Sequence, residues 1–94
     1  MFIAALRIDD RAGEKLARRS IGEEEVTQLP ANRFVVTRNP HPRLPGGRLL
    51  VGETDAGRLL TVVIEPVPQD DASWRVRTAW EASRRERHLF ERSF

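Results

Sequence analysis

The sequence predicts an α+β domain in which helices pack on a twisted, mainly antiparallel β-sheet. Three observations predict this class. An alternating apolar stretch opens the chain, two short capped helical segments follow it, and strand-like stretches with hairpin signals then lead to a C-terminal helix. Ninety-four residues without a repeat or a linker correspond to one domain, residues 1–94.

The N-terminal part predicts one strand and two helices. Residues 2–8 alternate apolar side chains on one face, which is typical of a strand. The two aspartates that follow can cap a helix over 11–19, because their carboxylates accept hydrogen bonds from free amide N–H groups. A second helix begins near Gly22 with three glutamates in its first turn, where the helix dipole favours negative charge, and ends at Pro30.

The remainder predicts a sheet and a last helix. Strands are expected at 33–38, 48–54, 58–66 and 73–79, with a proline-rich loop at 39–47 and a second loop at 67–72. The Asp55-Ala56-Gly57 connection is a hairpin signal, and the apolar faces of 58–66 indicate the central strand. Thr78 and Glu81 have the spacing of a capping box, which predicts a final helix from about Ala79.

Composition excludes several classes of function. There is no cysteine, and His41 and His88 are too few and too isolated for a histidine metal site, so we expect no metal and no cofactor. No apolar run approaches the ~20 residues of a membrane helix, and no signal peptide is recognisable, which favours the cytoplasm.

Arginine dominates the basic residues. Fifteen of the sixteen cations are arginine, and Lys15 is the exception. The flat guanidinium suits phosphate oxygens better than a lysine ammonium does, although a GC-rich genome also favours arginine codons.

Two of the arginines share one face of the last predicted strand. Trp74, Val76 and Thr78 alternate with Arg75 and Arg77, so the apolar face packs under the helices and the two guanidiniums lie side by side opposite. They repel each other unless an anion bridges them. The alternatives are pairing with Glu53 or Glu65 on neighbouring strands, or pointing into water.

The final helix carries two candidate residues for chemistry. Glu86 lies near the middle of the apolar stripe of this helix, where a carboxylate is costly without a cation, and Arg75 or Arg77 is the expected partner. His88 lies on the opposite side of the helix, which indicates a solvated surface histidine. It is nevertheless the one histidine in an arginine-rich element.

The first helix also has a basic stripe. It consists of Arg11, Lys15, Arg18 and Arg19, with Glu14 placed to pair with Arg18. The stripe is either a solvated face or a set of phosphate contacts that position a nucleic acid without reading its sequence. In the second case the expected contacts are Arg11, Lys15, Arg19, Arg84 and Arg87.

Two segments of the chain resemble a known family. Residues 75–91 resemble the C-terminal signature of BrnT-like toxins: a basic strand, Thr78-Ala79, an alanine three residues on, then Glu86-Arg87 and an aromatic residue, Phe90. Residues 10–26 are similar to the opening of a sister group of small uncharacterised domains with spaced arginines.

The resemblance implies the RelE/ParE toxin fold and a function. The function is that of the toxin in a type II toxin–antitoxin system, a metal-free endoribonuclease that inhibits translation by 2′-hydroxyl attack on the adjacent phosphate. Arg75 and Arg77 then stabilise transition-state charge, Glu86 orients one of them, and His88 is the general acid. The implied partners are RNA and a DNA-binding antitoxin, in a homodimer or a toxin–antitoxin heterotetramer.

The chain departs from the family pattern at several positions of the two segments that carry the resemblance. The usual tyrosine is Phe90, the arginine expected after Thr78-Ala79 is Trp80, and Arg11 and Ser20 replace a histidine and a glycine. Each change removes a polar group or a possible proton carrier. The alternative is therefore a catalytically silent RelE-like module that contacts nucleic acid or a partner protein through its basic surfaces. A purely structural domain that dimerises through Trp80 and Phe94 is a third hypothesis.

Overall fold

The elements of the chain follow the order β-α-α-β-β-β-β-α. A computed structural model describes residues 3–38 and 47–94, so the predicted loop at 39–47 lies, except for Gly47, outside the described residues. The elements are β1 (Ala5–Arg7), α1 (Asp10–Arg18), α2 (Glu23–Gln28), a 3₁₀ turn (Leu29–Ala31), β2 (Phe34–Arg38), β3 (Arg48–Glu53), β4 (Leu59–Val67), β5 (Asp70–Glu81) and α3 (Arg84–Arg92). The predicted α+β class is confirmed. Within the described ranges, no helix is both long and apolar enough for a membrane crossing.

The five strands form one mixed sheet with the order β1-β5-β4-β3-β2. β1 runs parallel to β5, and every other neighbouring pair is antiparallel. β4 is the middle strand, as its two apolar faces predicted, and its first six residues are buried. β1 pairs only with Ser73–Arg75, so the longer β5 extends well beyond its outer neighbour.

The first face of the sheet packs against α1 and α2. Helix α1 begins as predicted, because Asp9 accepts a hydrogen bond from the Ala12 N–H at 2.8 Å. The core between these layers contains fully buried side chains, each of which stabilises the fold by roughly 1.5–3 kcal/mol. They include Leu16, Val26, Leu50, Leu60, Val62, Ile64 and Val76.

The second face of the sheet packs against α3 through a smaller cluster. Phe90 of α3 contacts Val51 and Leu59 of the sheet. Near the end of the helix, the Arg33 guanidinium lies 5.6 Å from the Phe90 ring and 5.3 Å from the Phe94 ring. Cation–π contacts of Arg33 with both rings therefore stabilise the C-terminal end of α3.

The start of the last helix was predicted wrongly. β5 continues to Glu81, which pairs with Leu60 of β4, and α3 begins only at Arg84. The backbone hydrogen bonds to β4 keep 79–81 extended, so the Thr78–Glu81 capping box does not form. The observed box is Ser83 with Glu86. The predicted loop at 67–72 is also shorter, because β4 and β5 enclose only a two-residue turn.

A β-bulge at Arg77 changes which residues of β5 share a face. Thr78 lies opposite Val63 and Val76 lies opposite Ile64, so Arg77 is one extra residue in the ladder. The prediction that Thr78 shares the core face of Val76 is therefore wrong. Ala79 takes that place and is fully buried.

Arg58, which directly precedes β4, forms a clamp to the turn between α1 and α2. The Arg58 guanidinium donates to the Ser20 carbonyl at 3.1 Å and to Glu25 Oε1 at 3.1 Å. Ser20 needs this support because its φ of 58° lies in the left-handed region, which non-glycine residues rarely adopt. The hydrogen bond from the Gly22 N–H lowers the pKa of Glu25, and Arg58 lowers it further. Burial raises this pKa, but by less than the two partners lower it.

Arg58→Ala is expected to lower the free energy of unfolding by about 1–2 kcal/mol, because the Ser20 carbonyl and Glu25 both lose a charged donor. Urea denaturation measures this change. The control is Arg7→Ala, which removes a mostly exposed pair with Asp70 (2.7 Å) and should cost no more than about 1 kcal/mol. A loss no larger than in the control would show that the clamp does not stabilise the turn.

Candidate nucleic-acid interface

Arg75 and Arg77 lie on one face as predicted, and both converge on a single carboxylate. Their Nη1 atoms lie 3.5 Å and 3.4 Å from the same atom, Glu65 Oε1. Glu65 is one of the two partners that the sequence allowed as an alternative to a bound anion. The two arginine side chains are 47% and 45% exposed, so these long contacts contribute little and a phosphate can compete for them.

Glu86 does not contact either of these arginines, and its predicted orienting role is wrong. Its Oε1 atom accepts hydrogen bonds from the Thr61 hydroxyl at 2.9 Å, the Trp80 indole N–H at 2.9 Å and the Ser83 backbone N–H at 2.8 Å. The reason is its position in the first turn of α3, where the side chain turns back to the helix cap. Glu86 therefore fixes α3 to β4 and β5.

The protonation of Glu86 follows from these donors. Burial favours the neutral acid, but the Ser83 N–H, the Trp80 indole and the Thr61 hydroxyl outweigh it and lower the pKa of Glu86 below its ordinary 4.5. The carboxylate therefore stays ionised at neutral pH. It is not a proton donor, and it brings one negative charge to the surface beside it.

A groove opens beside Glu86, between α3 and the β2–β3 part of the sheet. Its volume is about 430 Å³. Three arginines line it together with Glu86, and none of the three forms an ion pair within the described residues. The groove is lined by Thr37, Arg38, Leu49, Arg85, Glu86, Leu89 and Arg92.

The basic stripe of α1 faces the outer edge of β5. Lys15, Arg18 and Arg19 line a cavity of about 340 Å³ together with Thr78, and a smaller cleft of about 20 Å³ joins Arg11 and Lys15 to Arg77. The predicted pairing of Glu14 with Arg18 is not among the ion pairs of 3–38 and 47–94. The stripe is therefore less neutralised than its sequence indicated.

The other predicted site residues lie apart from these groups. Arg84, Arg87 and His88 are exposed on α3, and His88 forms no hydrogen bond or ion pair with the rest of the described chain. Arg19 instead reaches β5, where its guanidinium lies 5.8 Å from the Trp80 ring. The structure thus does not bring His88 or Glu86 together with Arg75 and Arg77.

Sequence reasoning did not assign the groove arginines Arg38, Arg85 and Arg92 to a site. One signal for this region was present, since Thr61 is the polar residue in the apolar run 59–64, and a buried hydroxyl needs a partner. Its partner Glu86 marks where α3 crosses the sheet and hence where the groove opens.

No protein-family model matches the chain, and no curated protein matches it either.

Glu86→Gln is expected to lower the free energy of unfolding by about 1–2 kcal/mol at neutral pH, because three donors lose a charged acceptor. The folded-state pKa is lowered, so the stability that the carboxylate adds is complete above about pH 4.5 and is lost as the pH falls through the folded pKa. The difference between wild type and variant should therefore shrink below pH 4.5, as measured by urea denaturation across pH.

The matched control is Glu91→Gln, which neutralises an exposed carboxylate on the same helix. It should change stability by less than about 0.5 kcal/mol at every pH. A Glu86→Gln difference that is constant with pH would contradict the assignment of an ionised anchor.

Proposed function

We propose that this chain is a RelE/ParE-like domain of the BrnT-like type that binds RNA through its phosphate backbone, in the context of a toxin–antitoxin system with a DNA-binding antitoxin as partner. The groove beneath α3 carries this proposal, because it holds three arginines without a carboxylate partner among the described residues. The order of the elements and the C-terminal signature at 75–91 support the family assignment.

Phosphate is the ligand chemistry that suits this groove best. Arg38, Arg85 and Arg92 supply forked N–H donors, which match phosphate oxygens in two-point contacts. The one acidic lining residue, Glu86, accepts three hydrogen bonds on Oε1 and forms no ion pair with these cations within the described residues. Four of the seven lining residues are charged, and three of those four are cations, which favours an anionic ligand over an apolar one.

Binding is better supported than cleavage because the expected proton carriers are not in place. Glu86 is ionised and serves as an anchor, and His88 is exposed on a different side of α3 from the sheet arginines. The positions that carry a tyrosine and an arginine in the family are Phe90, in the core under α3, and Trp80, bonded to Glu86. Neither side chain can relay a proton to a phosphate oxygen.

Cleavage remains a second candidate because of one observation. Arg75 and Arg77 converge on one oxygen of Glu65, which places two cations beside a carboxylate on an open face. Such a set can stabilise the charge of a phosphorane while the ribose 2′-oxygen loses its proton to solvent water and bonds to phosphorus, and the P–O5′ bond breaks as the 5′-oxygen takes a proton from water.

The binding proposal predicts a shallower salt dependence for the double variant Arg38→Gln/Arg92→Gln. Each lost phosphate contact should reduce the slope of log affinity against log salt by about 0.7–0.9, so the pair reduces it by about 1.5. Fluorescence anisotropy with a labelled RNA hairpin measures the slope. The control Arg7→Gln removes one exposed cation of β1 that does not line the groove. A reduction of the slope in this control by about half of that in the groove pair, the same effect per charge, would contradict the proposal.

The cleavage candidate predicts that the purified chain cuts RNA in the presence of a chelator and leaves 2′,3′-cyclic phosphate ends. Arg75→Ala and Arg77→Ala should each lower the rate by about 10²-fold, because each removes a cation from the transition state. Gel analysis of the RNA fragments measures the rate. Intact RNA, together with normal growth of cells that express the chain without an antitoxin, rules out cleavage and leaves the binding proposal standing.

A further inference from the structure

The two oxygens of the Glu86 carboxylate have different surroundings. Oε1 accepts all three hydrogen bonds that anchor α3, whereas Oε2 takes part in no hydrogen bond or ion pair within the described residues. In the same part of the chain, the one buried side-chain N or O atom without a partner is the indole nitrogen of Trp74, so Oε2 is not buried. One oxygen of the carboxylate therefore serves the fold, and the other can accept a hydrogen bond from a ligand.

The second oxygen belongs to the wall of the groove beneath α3. Glu86 is half-buried and lines this groove. The donors to Oε1 come from β4, β5 and the cap of α3, whereas the other groove residues come from β2, β3 and later positions of α3. Because three donors hold Oε1 in place, the carboxylate is not free to rotate. Oε2 is thus a fixed acceptor on the groove side of the side chain.

The rest of the lining provides the other contacts that a nucleotide needs. Leu49 and Leu89 form an apolar part of the wall, and the cations are Arg38, Arg85 and Arg92. An unpaired base can pack on apolar side chains or stack on the plane of a guanidinium, while a second guanidinium binds its phosphate. The groove volume of about 430 Å³ also lies within the range of roughly 300–1,000 Å³ that is usual for small-molecule sites.

A single ionised acceptor beside cations distinguishes between the bases. Cytosine presents one amino donor, N4–H, next to the acceptors N3 and O2, and protein carboxylates accept hydrogen bonds from this amino group. Uracil has a carbonyl oxygen in place of the amino group, which a carboxylate repels. Guanine presents two adjacent donors that need both oxygens of a carboxylate, and adenine has one acceptor beside its amino group instead of two. One free oxygen and several guanidiniums therefore match cytosine best.

We infer that the groove beneath α3 reads an unpaired cytosine of single-stranded RNA, with Glu86 Oε2 accepting from N4 of the base and the groove arginines donating to N3, O2 and the adjoining phosphate. The base must be unpaired, because in a duplex these atoms face the partner strand. This inference rests on the proposed function and names the base that the RNA site selects. The lowered pKa of Glu86 agrees with it, since the carboxylate stays an acceptor at neutral pH.

The first test compares single-stranded RNA oligomers of one length, made of cytidine, uridine or adenosine, at neutral pH and one salt concentration. Their backbone charge is equal, so a difference in affinity reports the contact with the base. We expect the cytidine oligomer to bind at least about 10-fold more tightly than the uridine oligomer, with the adenosine oligomer between them. An oligomer of N4,N4-dimethylcytidine, which lacks the amino donor, should bind as weakly as oligouridine. Fluorescence anisotropy measures all four affinities.

The second test replaces the free acceptor with a donor. In Glu86→Gln, the three donors around Oε1 still need an acceptor, so the amide oxygen should take that place and the amide NH₂ should face the groove. An NH₂ group matches the O4 carbonyl of uracil and not the amino group of cytosine. The preference for cytidine should therefore fall from about 10-fold to none or reverse towards uridine. A purely structural role of Glu86 would weaken both oligomers equally and leave their ratio unchanged.

The matched control is Glu91→Gln, which removes an exposed carboxylate from the same helix and should keep the preference of about 10-fold. Circular dichroism checks that both variants are folded. If Glu86→Gln does not fold, the comparison of cytidine with N4,N4-dimethylcytidine oligomers on the wild-type protein decides whether the amino group is read.

Each other outcome overturns a defined part of the account. Equal binding of the cytidine and uridine oligomers, still weakened by Arg38→Gln/Arg92→Gln, overturns the cytosine inference and leaves the proposed function intact. Binding of the adenosine oligomer as tight as that of cytidine overturns the choice of base, and an unchanged preference in folded Glu86→Gln overturns the role of Oε2. No binding of any RNA overturns the inference and the proposed function together.

Discussion

One carboxylate oxygen fixes the position of α3 on the sheet. Glu86 Oε1 accepts hydrogen bonds from a hydroxyl of β4, an indole N–H of β5 and the backbone N–H at the cap of α3. The three donors belong to three elements, so a single acceptor fixes where the helix starts and the angle at which it leaves the sheet. The groove beneath α3, and the arginines that line it, depend on that position.

The charge of the domain is more asymmetric than its net value of +2 indicates. Arg33 forms an ion pair with Glu53 at 2.9 Å, and Arg58 forms one with Glu25 at 3.1 Å. Both pairs stabilise the fold. Arg75 and Arg77 share one carboxylate through longer contacts, and the cations of α1 and of the groove have none within the described ranges. The unmatched charge is thus concentrated along the edge of β5 and beneath α3, where a polyanion can bind without displacing a strong ion pair.

Local signals in the sequence predicted most elements of the fold. The Asp9 cap, the apolar faces of β4 and the glycine-ended hairpin each depend on residues within a few positions of one another, and each is confirmed. The bulge at Arg77 and the partners of Glu86 depend on contacts between distant strands, which a period or a capping motif does not encode. For the same reason the sequence identified Arg75 and Arg77 as neighbours but could not place Arg38 with Arg85 and Arg92. The toxin and ribonuclease assignments stay predictions.

The most direct test of the account is an NMR titration of the arginine side-chain Nε–H signals with an RNA hairpin, after assignment by single Arg→Lys substitutions. The account predicts that the signals of Arg38, Arg85 and Arg92 shift in a saturable manner, while that of Arg58, which is held in the clamp, does not move. Shifts confined to arginines outside the groove, or equal shifts of all arginines including Arg58, would contradict it.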